Sequence, residues 1–87
     1  MEKKFIKTSD IDLASTLYTI GFPIVGIHPT GAGEQMDFYL EENEEIREAI
    51  ADYWSAKLKV EPRNLILNRR EILSRVKKKQ HEESLKK

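Results

Sequence analysis

Gln35-Met36-Asp37-Phe38-Tyr39-Leu40-Glu41 is the stretch on which the fold turns. Met36, Phe38 and Leu40 alternate with Asp37, Tyr39 and Glu41, a period of two that sends the first set to a core and the second toward solvent. Immediately upstream, Ile24 to Ile27 is also strand-like, and Pro29-Thr30-Gly31-Ala32-Gly33 joins the two. The glycines of that connection suit positive φ, so the pair reads as a hairpin.

Before the hairpin, Lys3-Lys4-Phe5-Ile6-Lys7 is a short strand closed by Thr8-Ser9-Asp10. Ser9 is the expected N-cap of a first helix, with Asp12 three residues on as the partner of a capping-box-like pair and as an acid at the positive end of the helix dipole. Leu13, Ala14, Leu17 and Ile20 mark its apolar face over residues 10–20. Gly21 is expected to end it in a left-handed conformation, with Phe22 folding back onto Leu17 and Pro23 blocking continuation. A strand, a helix and then a hairpin place the strands in order 1-3-2. The right-handed crossover from strand 1 to strand 2 leaves a gap that the hairpin's return strand fills.

After the hairpin, Asn43 caps a second helix with Glu44 and Glu45 in its first turn, and Ile46, Ala49, Ile50, Tyr53 and Trp54 follow at helical spacing. Leu17, Phe22, Phe38, Ile50, Trp54 and Leu73 are the expected core. Ala56, Leu58 and Val60 alternate with Lys57 and Lys59, so residues 57–60 offer a short fourth edge strand. Pro62 opens a third helix, where its fixed φ fits and its missing N–H is no loss. Leu65, Ile66, Ile72, Leu73 and Val76 share one arc of that helix. Arg69 falls inside the arc, where a guanidinium buried alone is costly, so it is expected either to pair with an acid such as Asp52 or Glu48 or to extend its head to water. The reading is a single α+β domain over residues 3–76, ordered β-α-β-β-α-α, with helices on one face of a mainly antiparallel sheet. Residues 77–87 are read as a loose, polar, basic tail.

Charge is sorted along the chain. From Glu34 to Asp52, eight acids face Arg47 alone, a net of −7; from Lys57 to Lys87, eleven Lys and Arg face four Glu, a net of +7. The total of zero hides a dipole that either attracts partners at its two ends or lets the two segments neutralise each other when they pack. Glu44, Glu45, Glu48 and Asp52 form an acidic helix face, either simply solvated or suited to docking a basic protein or mimicking nucleic acid. Arg63, Arg70 and Lys77, seven apart and extended by Lys78 and Lys79, form a basic stripe that reads either as a solvated helix edge or as a track along a phosphate backbone. The aromatic residues Tyr18, Phe38, Tyr39, Tyr53 and Trp54 fall mainly at core-like spacing and offer no stacking platform for bases.

Several functions find no support. Thr30-Gly31-Ala32-Gly33 lies between strands, without the helix N-terminus and Lys-Ser/Thr pair of a phosphate cradle. His28 and His81 are too few for a metal centre, and no nucleophile, base and orienting group stand together. The chain has no cysteine. Its first twelve residues lack a signal-peptide core, and no run approaches the roughly 20 apolar residues of a membrane span. A soluble, cytoplasmic, non-enzymatic protein without cofactor or small-molecule ligand is expected. Eighty-seven residues bury only about 60% of the unfolded surface, so a protein partner or a second copy would help such a thin core.

Phe5-Ile6-Lys7-Thr8-Ser9-Asp10, Gly21-Phe22, Phe38-Tyr39, Tyr53-Trp54 and Val60-Glu61-Pro62-Arg63 together resemble a family of small uncharacterised domains of bacterial and phage proteins, over most of residues 3–76. Ser55-Ala56 stands where that pattern has a polar-Gly stop. The resemblance implies no activity and no catalytic residue. Its phage association implies a role in mobile-element or nucleic-acid biology.

Overall fold

A computed structural model describes residues 3–31, 33 and 35–85. The order is β1 (Phe5–Thr8), α1 (Ile11–Thr19), β2 (Ile24–Pro29), β3 (Met36–Glu41), α2 (Glu44–Trp54) and α3 (Pro62–Leu85). The sheet is antiparallel throughout, in order β1-β3-β2. Ile6 pairs with Leu40, and Ile24 with the same Leu40 from the other side. Met36, Phe38 and Leu40 are all buried, as their alternation requires.

Helix α1 is the centre of the molecule. Leu13 to Leu17 are five consecutive buried residues, more than one face of a helix, because α1 has the sheet beneath it and both other helices against it. Ser15 and Thr16 tolerate this burial by donating their hydroxyls to the carbonyls of Ile11 (2.6 Å) and Asp12 (2.8 Å). Asn68 of α3 donates to Thr19 at one end of α1, while Arg69, the next residue, reaches Asp12 at the other. Helix α3 therefore crosses α1 instead of running alongside it. Ile72 of α3 is fully buried at this crossing, in one cluster with Leu17, Phe38, Leu40 and Ile46.

The helix ends show how local chemistry sets the boundaries. Asp10, not Ser9, is the N-cap of α1: its carboxylate accepts from the amides of Asp12 (2.9 Å) and Leu13 (3.3 Å). A charged cap gains from the helix dipole as well as from the hydrogen bonds. At the other end, Phe22 N–H donates to Leu17 and Gly21 N–H to Tyr18, with Gly21 at φ 115°, the Schellman arrangement expected of Gly-Phe-Pro.

Helix α2 ends in the same motif without a glycine. Lys57 N–H donates to Asp52, Ala56 N–H to Tyr53, and Ala56 takes φ 60°. An alanine held left-handed costs about 1–2 kcal/mol. We expect Ala56→Gly to raise stability by about 1 kcal/mol, allowing for glycine's extra freedom when unfolded, and urea denaturation measures it. A lower denaturation midpoint for the variant would reject this account of the helix end.

Besides the Ser9 cap, five expectations need correction. Leu73, expected in the core, is only partly buried and lies outside the core cluster. Residues 57–60 form no fourth strand, because the amides of Lys57 and Leu58 are both spent on the Asp52 carbonyl. Trp54 is 66% exposed: Tyr53 takes the inward position at the end of α2 and the indole stands edge-on to it, centroids 5.0 Å apart. Trp54→Ala should then cost no more than about 1.5 kcal/mol, the range of an edge-to-face pair, and a thermal melt decides it. Helix α3 does not end near residue 76; it runs to Leu85, since Lys77, Lys78, Lys79, Gln80 and Glu82 are all good helix formers. Finally, Arg69 is half-exposed and pairs with Asp12 at 2.9 Å, not with Asp52 or Glu48. The crossing of α3 over α1 carries Arg69 to the α1 N-terminus.

Candidate functional site

On α2, the Asn43 cap receives the Ile46 amide at 2.7 Å and fixes the helix phase. With Ile46 and Ala49 turned to the core, Glu44, Glu45, Glu48 and Asp52 are all exposed. Asn43, Glu44, Glu45 and Glu48 line a shallow concavity of about 490 Å³. Among the described residues none of these four acids is ion-paired, and no group of three His, Asp or Glu is placed to hold a metal.

On α3, Glu61 accepts from the Asn64 amide at 2.6 Å and Pro62 begins the helix. Burial of Ile72 then turns Arg63, Arg70, Lys77 and Lys78 outward, with the half-exposed Ile66 and Leu67 among them. Lys79 leaves this stripe: two residues beyond Lys77, and so about 200° round the helix, it is half-buried. Arg75 is absorbed in the fold, paired with Glu71 at 2.9 Å and lying over the Tyr18 ring. No ion pair links the acidic face of α2 to the stripe on α3 among the described residues.

A third surface lies on the side of the sheet without helices. Alternation sends Phe5 and Lys7 of β1, and Asp37, Tyr39 and Glu41 of β3, to this side. On β2 the pairing shifts between Ile24 and Gly26, a bulge that leaves Val25 unpaired and turns it outward while Ile24 and Ile27 still pack inward. Phe5 is 50% and Val25 54% exposed. Phe5, Val25, Gly26, His28 and Tyr39 line an open hollow of about 410 Å³. His28 stands edge-on to Tyr39, ring centroids 5.3 Å apart. The imidazole also fills the space over Gly26, where an added Cβ would come within 3.0 Å of its Nε2. Glycine is what lets His28 lie down on the sheet.

Sequence reasoning missed this surface. Phe5 next to Ile6 was the available signal, since both are apolar and alternation allows only one inside. Gly26 within Ile24-Val25-Gly26-Ile27 was the signal of the bulge that exposes Val25, since a glycine inside a strand pattern marks such a bulge.

Among the described residues Tyr53 is the one side chain whose titration moves. Burial first, then the carboxylates of Asp10 and Asp12, push its hydroxyl above the usual tyrosine value. The phenol is neutral in the fold, so its contribution is intact below about pH 10 and lost as the pH rises through the folded value. It is a packing group between α2 and the start of α1.

The chain belongs to a family described as a domain of unknown function (DUF5659), whose model matches residues 3–79. No curated protein and no solved structure gives a significant match. The matched span takes in the whole sheet, α1, α2 and most of α3, so all three surfaces belong to the family's domain. No helix among the described residues is long and apolar enough to cross a membrane.

Proposed function

We propose that the chain is a non-enzymatic, cytoplasmic protein-interaction module that docks a protein partner or a second copy of itself on the helix-free face of its sheet. One observation carries this reading: Phe5 and Val25, both half-exposed, flank a hollow floored by Gly26 and Tyr39 with no helix above it. Large apolar groups clustered on an open face mark an interaction site, whereas scattered ones do not. Lys7 balances Asp37 or Glu41 around the patch, the mixed rim of a protein contact. The acidic residues Glu44, Glu45, Glu48 and Asp52 and the basic stripe on α3 then steer the encounter, which changes its rate more than its strength. The function needs no cofactor, small-molecule ligand or membrane.

The test is photo-cross-linking from single positions in cells producing the protein. A benzoylphenylalanine at Val25 should give one discrete protein adduct, while the same group at Ala51 on α2 or Ser74 on α3 should give none. Adducts from Ala51 or Ser74 but not from Val25 would overturn the assignment.

A second reading is favoured by the exposed cations Arg63, Arg70, Lys77 and Lys78 of α3, which form no ion pair among the described residues: a nucleic-acid accessory protein of phage or mobile-element origin using these four, with Lys79 beyond the stripe. If these residues bind phosphates, replacing Arg63, Arg70 and Lys77 by Gln makes the slope of log affinity against log salt shallower by roughly 2–3, about 0.9 for each duplex phosphate no longer neutralised. No salt-dependent binding by the unaltered protein at about 50 mM salt would reject this reading.

A further inference from the structure

Resting on the sheet-face reading above, we infer that the partner seated on this face is a second copy of the chain, bound face to face across a two-fold axis.

Charge favours a second copy. Lys7 of β1 sits opposite Tyr39, so Asp37 and Glu41, two residues either way along β3, are its diagonal neighbours. None of the three is ion-paired within the chain among the described residues. Opposite charges on adjacent strands make the face complementary to itself. Two such sheets packed with strands near right angles, one of the two usual modes, set Lys7 of each copy against an acid of the other. A two-fold contact requires this reciprocity. The same acids, on either side of Tyr39, disfavour a phosphate polymer stacking its bases on these rings.

Shape favours it too. The apolar groups stand at the two margins of the face, Phe5 on β1 and Val25 on β2, and between them Gly26 contributes no side chain. A copy turned over offers protruding groups to that hollow. Strand addition is the competing geometry, and both edges oppose it. Lys3, Lys4 and Lys7 line the β1 edge, while Pro23, Pro29 and the bulge at Val25 interrupt the β2 edge.

Area sets the strength. Three strands about 4.8 Å apart and about five residues of 3.4 Å rise give a face of roughly 250 Å² in plan. A patch of that extent is small beside the ~800 Å² of accessible surface that each partner buries in a standard complex, so the dimer belongs to the weak, transient class and the test runs to high concentration.

The experiment uses the full chain, labelled with nitrogen-15, from about 20 μM to about 1 mM, followed by sedimentation equilibrium and by amide NMR shifts. The expected result is a mass rising from 10.1 kDa toward twice that value, with shifts confined to Phe5, Lys7, Val25, Gly26, His28 and Tyr39 and their strand neighbours. Val25→Lys, and separately Phe5→Ser, should stay monomeric throughout with melting curves close to wild type, since both side chains are already half in solvent. A monomer at 1 mM overturns the second copy. If Val25 then still photo-cross-links a different protein, the docking face stands and only its occupant is wrong. A dimer whose shifts map to Glu44–Asp52 and Arg63–Lys78 and which dissociates in salt overturns the inference and the docking face together.

Discussion

Ile72→Asp is expected to abolish cooperative folding at 25 °C. Ile72 is 0% exposed where α3 crosses α1, in one cluster with Leu17, Phe38, Leu40 and Ile46. The substitution removes a large buried apolar side chain, worth about 2–5 kcal/mol even when truncated to alanine. It also puts a carboxylate among apolar side chains, a further cost of several kcal/mol. A domain of this size has about 5–15 kcal/mol in total. Thermal and urea melts followed by circular dichroism are the measurement. A cooperative transition within a few degrees of wild type would mean that α3 is not packed through Ile72, and the crossing would be wrong.

Phe38→Ala should cost about 3–5 kcal/mol. Phe38 is 2% exposed on the central strand, so its removal opens a void shared by both neighbouring strands and the helix layer. At about 4–8 °C per kcal/mol for a domain this small, the melting temperature should fall by more than about 12 °C. A fall of only a degree or two would place the ring outside the core and invert the register of β3. Val25→Lys on the neighbouring strand is the control, because it leaves the core untouched.

The order β1-β3-β2 was legible because three independent signals agreed on it: alternation in Met36 to Glu41, the glycine-bearing turn, and a helix between β1 and β2 stopped by Gly21. Asn43 and Pro62 announced the starts of α2 and α3 for similarly local reasons. Errors arose where local chemistry left more than one answer. Thr8-Ser9-Asp10 contains three residues able to cap, and spacing alone does not single out Asp10, whose carboxylate takes the Asp12 and Leu13 amides. Tyr53 and Trp54 are adjacent and both amphipathic, so which turns inward depends on the phase set at Asn43 and Ile46. Ala56 takes a conformation its side chain disfavours, which no propensity would assign.

The charged helix faces were the sequence's most visible candidates, and the fold keeps Glu44, Glu45, Glu48, Asp52, Arg63, Arg70, Lys77 and Lys78 exposed while turning Lys79 away. The pairing of Arg69 was illegible, because it depends on the angle at which α3 crosses α1, a tertiary quantity. The helix-free face was legible only in part, through Phe5 beside Ile6, for a related reason. Phe5, Val25, His28 and Tyr39 come from three separate strands, and only the antiparallel register and the bulge in β2 bring them together.

Association through this sheet face, and not through the charged helices, is tested most directly by isotope-filtered NMR on an equimolar mixture of labelled and unlabelled chains at about 1 mM. Intermolecular cross-peaks from the Phe5 and Tyr39 rings to the Val25 methyl groups are the predicted result. Cross-peaks confined to side chains of α2 and α3, with Phe5, Val25 and Tyr39 showing none, would contradict it.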